Sequence, residues 1–268
     1  MKHPILSILI AAITLPSIAL AQDTTWFNSA WKPCTASQAA YYRTKVKTDG
    51  VWQIADHYRS GKLQMTGAYA DDSFHVSQGE WTWYDGTGIM QHRCYYVQGK
   101  LEGPDTLYYP DGRKRVTGNN KAGSKEGEWL GYYPSGKLSG KAKYEKDKQV
   151  SGTYFNEDGS SNKTVNVFMK NAEYPGGVSQ FLRFLNKTLR YPDSAVVHEI
   201  QGTVITQFIV TKEGKISGLQ ISASVNKYLD EEALRVMRMM SDWEPAIIGG
   251  VLSEVYEKQP IVFNLQSS

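Results

Sequence analysis

GTVITQFIVTKEGKISGLQIS, residues 202–222, alternates apolar and polar side chains on both sides of one turn. Val204, Phe208 and Val210 share one face of the first arm, Ile205 and Ile209 take the other, and Lys-Glu-Gly at 212–214 supplies the turn. Successive strand side chains point to opposite faces, so this period of two reads as a hairpin with both faces partly covered. Past the turn, Ile216 and then Leu219 with Ile221 change parity, which points to a bulge at Gly218.

A hairpin with two apolar faces needs cover, and the flanking sequence supplies it. From Gly177, the residues Val178, Phe181, Leu182, Leu185 and Leu189 follow helical spacing. The run must stop near Tyr191, because Pro192 disfavours helix in the residue before it, so a helix is predicted over 177–190. A second helix is announced by Asp230 as its cap, by Glu231 and Glu232 at its positive end, and by Leu229 and Leu234 in staple positions. Ala233, Val236, Met237 and Met240 then line one face; Met237, Met239 and Met240 lack accompanying His or Cys and read as core filling, not as a copper site. The chain ends in VYEKQPIVFNL (255–265), where Ile261, Phe263 and Leu265 face one way and Pro260 favours an edge or a bulge. The expectation for 165–268 is an α+β domain of two layers, two helices on a three-stranded antiparallel sheet.

YPDSA (191–195), GTVITQFIVTKEGKI (202–216), LDEEAL (229–234), WEPAIIGG (243–250) and YEKQPIVFNL (256–265), in that order and spacing, resemble the C-terminal domain of the TonB energy-transducer family. The resemblance covers about 174–265. It implies a periplasmic module that binds another envelope protein or peptide segment, such as a TonB-dependent receptor, by adding an extended segment to an exposed strand. Backbone groups then supply affinity and alternate side-chain pockets supply selectivity. By that resemblance the receiving edge is the last strand, with Val255, Tyr256, Gln259, Ile261, Phe263 and Leu265 as its partner-binding residues. A transducer of this family also keeps an N-terminal anchor in the inner membrane and crosses the periplasm on a Pro-rich linker. Here ten prolines are scattered through the chain, and repeats stand where a linker would be.

Those repeats occupy residues 49–160. YRSGK (58–62), YDGTG (84–88), YPDGR (109–113), YPSGK (133–137) and FNEDG (155–159) each place a glycine turn beside an aromatic. Between them lie GEWTWY (79–84), GPDTLYY (103–109), GEWLGYY (127–133) and GTYF (152–155), whose leading glycines recur every 24 to 25 positions by their numbers. A period this short suits one hairpin per unit. Trp81, Tyr84, Tyr109, Trp129 and Tyr133 are expected to stack from one hairpin to the next, since a single hairpin buries too little apolar surface alone. The units resemble MORN repeats of the looser bacterial kind, which implies an all-β, elongated sheet, and YDGTGIM at 84–90 departs from the pattern. Lys137, Lys141, Lys143, Lys146 and Lys148 alternate with Glu145 and Asp147 in part and read as a solvated edge.

The first residues, 1–21, carry Lys2, an apolar stretch from Ile5 to Leu20 and small residues at Ala19 and Ala21, an export signal cut before Gln22. Retention as an inner-membrane anchor facing the periplasm is the alternative; 22–48 is then an N-terminal segment. Thirty basic against twenty-seven acidic residues give no case for nucleic acid as a partner. Cys34 and Cys94 could form one disulfide in an oxidising compartment, or stay as two buried thiols.

The search for an enzyme finds little. Five histidines make no ligand pair, and no nucleophile or phosphate-loop pattern appears; AGSKEGEW (122–129) lacks the ending of such a loop. The carboxylates of Asp242 and Glu244 beside Trp243 have no histidine or nucleophile to work with, so they read as the end of a helix. No catalytic, cofactor-binding or metal residues and no small-molecule substrate are assigned. The expected function is non-catalytic protein interaction in the periplasm, linked to TonB-dependent transport or envelope assembly. The alternatives are a genuine energy transducer with a retained anchor, or an envelope protein holding glycan or lipid through its repeats. A weak homodimer through open sheet edges is compatible with either.

Overall fold

The computed structural model describes residues 23–265; the expected signal lies outside the described residues. Alternation in the first half builds one antiparallel sheet of twelve strands. These are β1 (Asp23–Phe27), β2 (Tyr41–Thr48), β3 (Val51–Tyr58), β4 (Leu63–Tyr69), β5 (Ser77–Tyr84), β6 (Met90–Val97), β7 (Lys100–Leu101), β8 (Gly103–Tyr108), β9 (Lys114–Lys121), β10 (Ser124–Tyr132), β11 (Leu138–Glu145) and β12 (Lys148–Tyr154). Strands pair in chain order, except that β7 folds back on β6 alone and leaves β8 to pair with β6. Residues 23–48, expected as a separate N-terminal segment, supply β1 and β2 of this same sheet.

The turn glycines do what their spacing predicts. Gly61, Gly112 and Gly136 all have φ between 81° and 86°, and each amide donates back to the aromatic that opens its turn, Tyr58, Tyr109 and Tyr133. The aromatics pack differently from the expectation of ring stacking between hairpins. Trp81 lies flat across Gly67 of the preceding strand and Trp129 across Gly118, so tightly that a Cβ at either glycine would overlap the indole. The turn tyrosines join neighbouring units through their hydroxyls, Tyr58 donating to the carbonyl of Tyr84 at 3.0 Å, Tyr109 to Tyr132 at 2.7 Å and Tyr133 to Phe155 at 2.8 Å.

One unit breaks the pattern. Two residues after its leading glycine stands Asp105, where the other units have Trp81, Trp129 and Tyr154. The buried carboxylate lies 2.7 Å from His92 Nε2 and accepts from Asn120 Nδ2 at 2.8 Å, so both its oxygens are satisfied. Cys94 lies beside it, fully buried.

The second half contains β13 (Met169–Lys170), α1 (Gly177–Thr188), α2 (Asp193–Val197), β14 (Gly202–Val210), β15 (Ile216–Ala223), α3 (Lys227–Arg238), β16 (Ala246–Ile248), β17 (Val251–Ser253) and β18 (Val255–Phe263). The predicted two-layer core is present: α1 and α3 cover the antiparallel sheet β15-β14-β18, and Val204, Phe208, Val210, Ile261 and Phe263 are buried beneath them. The bulge falls where parity changed, for the β14–β15 register shifts opposite Gly218. Two details differ. The cap of α3 is Asn226, whose side chain accepts from the Tyr228 amide at 2.9 Å; Asp230 lies inside the helix and holds Ser224 Oγ at 2.6 Å. On α1, Phe181 and Leu185 are buried, but Val178 is 71% and Leu182 52% exposed.

A small third sheet, β13-β16-β17, was not foreseen. WEPAIIGG forms its central hairpin, and the Gly249–Gly250 turn is driven into the repeat sheet. Ser139 Oγ donates to the Gly249 carbonyl at 2.6 Å, and Arg115 Nη2 donates to Ser253 Oγ at 2.5 Å. Ile247, Ile248, Val165 and Phe168 join Val116, Trp129, Tyr144 and Tyr154 in one core. The approach is backbone against backbone: a Cβ on Gly131 would overlap the Gly249 carbonyl, and one on Gly249 would lie 3.0 Å from Gly131 Cα.

Trp243 is buried, with the rings of Tyr174, Phe181 and Phe208 around it at 5.3–6.4 Å. Trp243→Ala is expected to lower stability by about 3–5 kcal/mol, read as the midpoint of chemical unfolding. Gly131→Ala should cost roughly 1–3 kcal/mol, because neither backbone can yield, and should separate the melting of the two halves in calorimetry. A wild-type melting curve for Gly131→Ala would show that the hairpin is not seated there.

Candidate docking edge

Three-stranded sheets have two edges, and the sequence decides which one stays regular. β15 shifts register twice against β14, and such irregularity blunts an edge. β18 pairs with β14 over its whole length without a shift, from Gly202 opposite Phe263 to Val210 opposite Val255. Thr206, buried at the centre of β14, adds its hydroxyl to the Gln259 carbonyl at 3.1 Å. Among the described residues no strand pairs with the other side of β18.

Alternation then sorts the side chains of β18. Val255, Glu257, Gln259, Ile261 and Phe263 face the helices; Tyr256, Lys258, Pro260 and Val262 face away. Of the six residues expected at the edge, Ile261 and Phe263 are wholly buried core, Val255 packs at the core margin and Gln259 is half-buried. Tyr256 is exposed on the outer face, and Leu265 lies past the strand, its amide donating to Gln201 Oε1 at 2.9 Å. The strand is open through its backbone, so the residues that flank it matter more than those under it. Pro260 fits this arrangement, since an edge strand accepts proline where the missing donor faces outward.

Glu257 is the residue that the sequence reading passed over. It sits half-buried on the helix side and no hydrogen bond or ion pair engages its carboxylate among the described residues; burial pushes its pKa up. Val255 and Glu257 border a pocket of about 100 Å³ whose far wall is Met169–Ala172 and Ala246–Ile248. The nearest lysine on that wall, Lys170, is already paired with Glu244. An acidic residue in an alternating strand that otherwise faces the core was the available signal.

Elsewhere the candidate groups are quiet. Asp242 pairs with Lys215 at 2.5 Å and Glu244 with Lys170, so the two carboxylates beside Trp243 serve as surface clasps for different segments. Glu232 is held by Arg235 at 2.7 Å and accepts from the Arg190 amide at 2.7 Å. Burial raises its pKa, but those donors outweigh burial and leave it lowered. Of the two alternatives for Cys34 and Cys94, the structure has free thiols, Cys94 buried and Cys34 half-buried. Cys34 hydrogen-bonds to the outer side of β1 and Cys94 lies in β6, so β1 to β5 intervene. At about 4.8 Å per strand that gap far exceeds the roughly 7 Å limit for bridged Cα atoms. Burial and the charge of Asp105 push the Cys94 thiol up to about 12, which leaves it inert as a nucleophile.

Residues 187–265 match the family described as Gram-negative bacterial TonB protein C-terminal. That span runs from the end of α1 through β18 and includes both the open edge and the hairpin seated on the repeats. No curated protein matches the chain.

Glu257 makes a pH prediction. Its folded pKa lies above the unfolded value, so below the ordinary glutamate range both states are protonated and the residue is neutral toward folding. As pH rises, the unfolded chain ionises first and stability is lost, with the full penalty present by neutral pH. Glu257→Gln should therefore raise the melting temperature at pH 7, and the gain should vanish below about pH 4; equal gains at both pH values would refute the assignment.

Proposed function

We propose that this chain is a non-catalytic periplasmic protein-interaction protein, which binds an extended segment of another envelope protein by adding it to β18, in TonB-dependent transport or in envelope assembly. The observation that carries the reading is a bulge-free edge, unpaired on its outer side among the described residues, in the span that matches the TonB C-terminal family. Strand addition takes affinity from unpaired backbone groups, and β18 offers them along its free side except at Pro260, which has no N–H to give.

Residues 1–21 act as the export signal in this reading, and the repeats, MORN-like units over 49–160, are the scaffold. The module of 165–268 is not tethered loosely to that scaffold, since the Gly249–Gly250 turn and Phe168 are built into the core of the repeat sheet. A fixed module supports a docking role more than that of an arm reaching across the periplasm.

The test uses the full chain in cells. A photo-crosslinking residue at Tyr256 should trap the periplasmic extended segment of an outer-membrane receptor or assembly factor. Val262→Pro should abolish the product while the protein stays folded, because position 262 shares the orientation of Pro260 and loses only an outward donor. Fractionation with N-terminal sequencing should find a soluble chain beginning at Gln22. Crosslinks that survive Val262→Pro would exclude strand addition, and a chain retained in the inner membrane from residue 1 would favour energy transduction.

A further inference from the structure

A groove of about 350 Å³ runs along one flank of α1. The helix contributes Gln180, Arg183, Phe184 and Lys187, whose i, i+3, i+4, i+7 spacing makes one strip, and Tyr174, Pro175 and Ser241 complete the lining. The apolar part is fixed: the Tyr174 ring stacks on that of Phe184 at 5.8 Å and meets Phe181 and Trp243 of the core edge-on at 5.4 and 6.1 Å. The polar part is unbalanced. Residues 174–192 hold Arg183, Lys187 and Arg190 and no acid. Among the described residues neither Arg183 nor Lys187 forms an ion pair, and no carboxylate borders the groove. Glu173 lies against Gly177 instead, and Asp242 and Glu244 are paired with Lys215 and Lys170. Like charges at i and i+4 repel on a helix, so Arg183 and Lys187 work against α1 in the free protein.

We propose that this groove binds an acidic peptide segment of a partner protein, with an Asp or Glu carboxylate between Arg183 and Lys187 and a neighbouring aromatic or aliphatic side chain on Tyr174, Pro175 and Phe184. Charge complementarity decides the class of occupant: two cations without an anion stand beside apolar rings and one hydroxyl, that of Ser241. Gln180 Oε1 accepts from Arg183 Nη1 at 3.1 Å, and among the described residues the Nε–Nη2 edge of the guanidinium stays open for the two parallel bonds that a carboxylate accepts. A bilayer of anionic lipid fits less well. It calls for exposed apolar side chains next to the cations, whereas Val178 and Leu182, the exposed apolar pair of α1, stand about half a turn round the helix from the strip. No residue of β18 borders the groove, so the site does not rest on strand addition there.

Labelled Gly-Ser-Glu-Phe-Ser-Gly tests this by fluorescence anisotropy on the chain from residue 22. It should bind about tenfold more tightly than the peptide with Lys in place of Glu, and about tenfold more tightly than the one with Ser in place of Phe. The preference for Glu should shrink as salt rises. Arg183→Gln with Lys187→Gln should erase it, and Arg183→Glu with Lys187→Glu should turn it toward the Lys peptide; all four changes are at exposed positions, so the melting temperature should stay near that of the wild type. Val262→Pro should leave every affinity unchanged. Equal binding of the Glu and Lys peptides, or a preference that survives Arg183→Gln with Lys187→Gln, overturns the inference. Equal binding of the Phe and Ser peptides overturns it too, since charge alone would then suffice. Loss of binding in Val262→Pro would place the peptide on β18 and overturn the groove, whereas failure at the groove leaves strand addition to its own crosslink. Vesicles of phosphatidylglycerol that bind through Arg183 and Lys187 while the Glu peptide does not would give the groove to a membrane surface and overturn the inference.

Discussion

A backbone-to-backbone contact, Gly131 against Gly249, sets the arrangement of everything else. No side chain fits at either position, so the two halves approach more closely than side-chain packing permits, and the Ser139 hydroxyl closes the contact on the Gly249 carbonyl. Once that turn is seated, Ile247 and Ile248 become part of the repeat core, and β16 carries β13 with it. The strand that follows at once is β18. Its position is therefore tied to the repeat sheet through the hairpin before it.

The units of the repeat sheet are joined in a particular way. Indoles seated on glycines replace the layered ring stacking of a simple aromatic ladder, and tyrosine hydroxyls lock each turn to a backbone carbonyl of the next unit. The polar unit around Asp105 interrupts the aromatic face without leaving a buried oxygen unpaired. At the N-terminal end, Asp56 is buried and held by two bonds from Arg43, so the segment before the repeats is fastened to the same sheet.

Within the C-terminal half, β18 is the edge of a three-stranded sheet that no further strand pairs among the described residues, and Val178 and Leu182 of α1 stay exposed. Glu257, half-buried on the helix side of β18 with no ion-pair partner among the described residues, has its carboxyl pKa pushed up by burial.

Period-two alternation in 202–222 and 255–265, helical spacing in α1 and α3, and the recurring glycine turns were all legible from the residues, because each depends on local geometry. The sequence by itself determined the types of the elements that its periodicity marked, and the resemblance to the TonB C-terminal family singled out the last strand as the edge to examine. It misled at Val178 and Leu182, whose spacing is helical but which stay exposed, and it left Cys34 and Cys94 open between a disulfide and free thiols, since their separation depends on how many strands pair between them. It passed over Glu257, since a carboxylate at an alternating position looks solvated until the layers are assembled. Only the tertiary structure decided that the Gly249–Gly250 turn seats in the repeat sheet, that Gly67 and Gly118 are seats for tryptophans, and that Val178 and Leu182 stay exposed. The first of these arises from surfaces more than a hundred residues apart meeting in space, as Ser139 meets Gly249 and Arg115 meets Ser253, and no local pattern encodes such a distance.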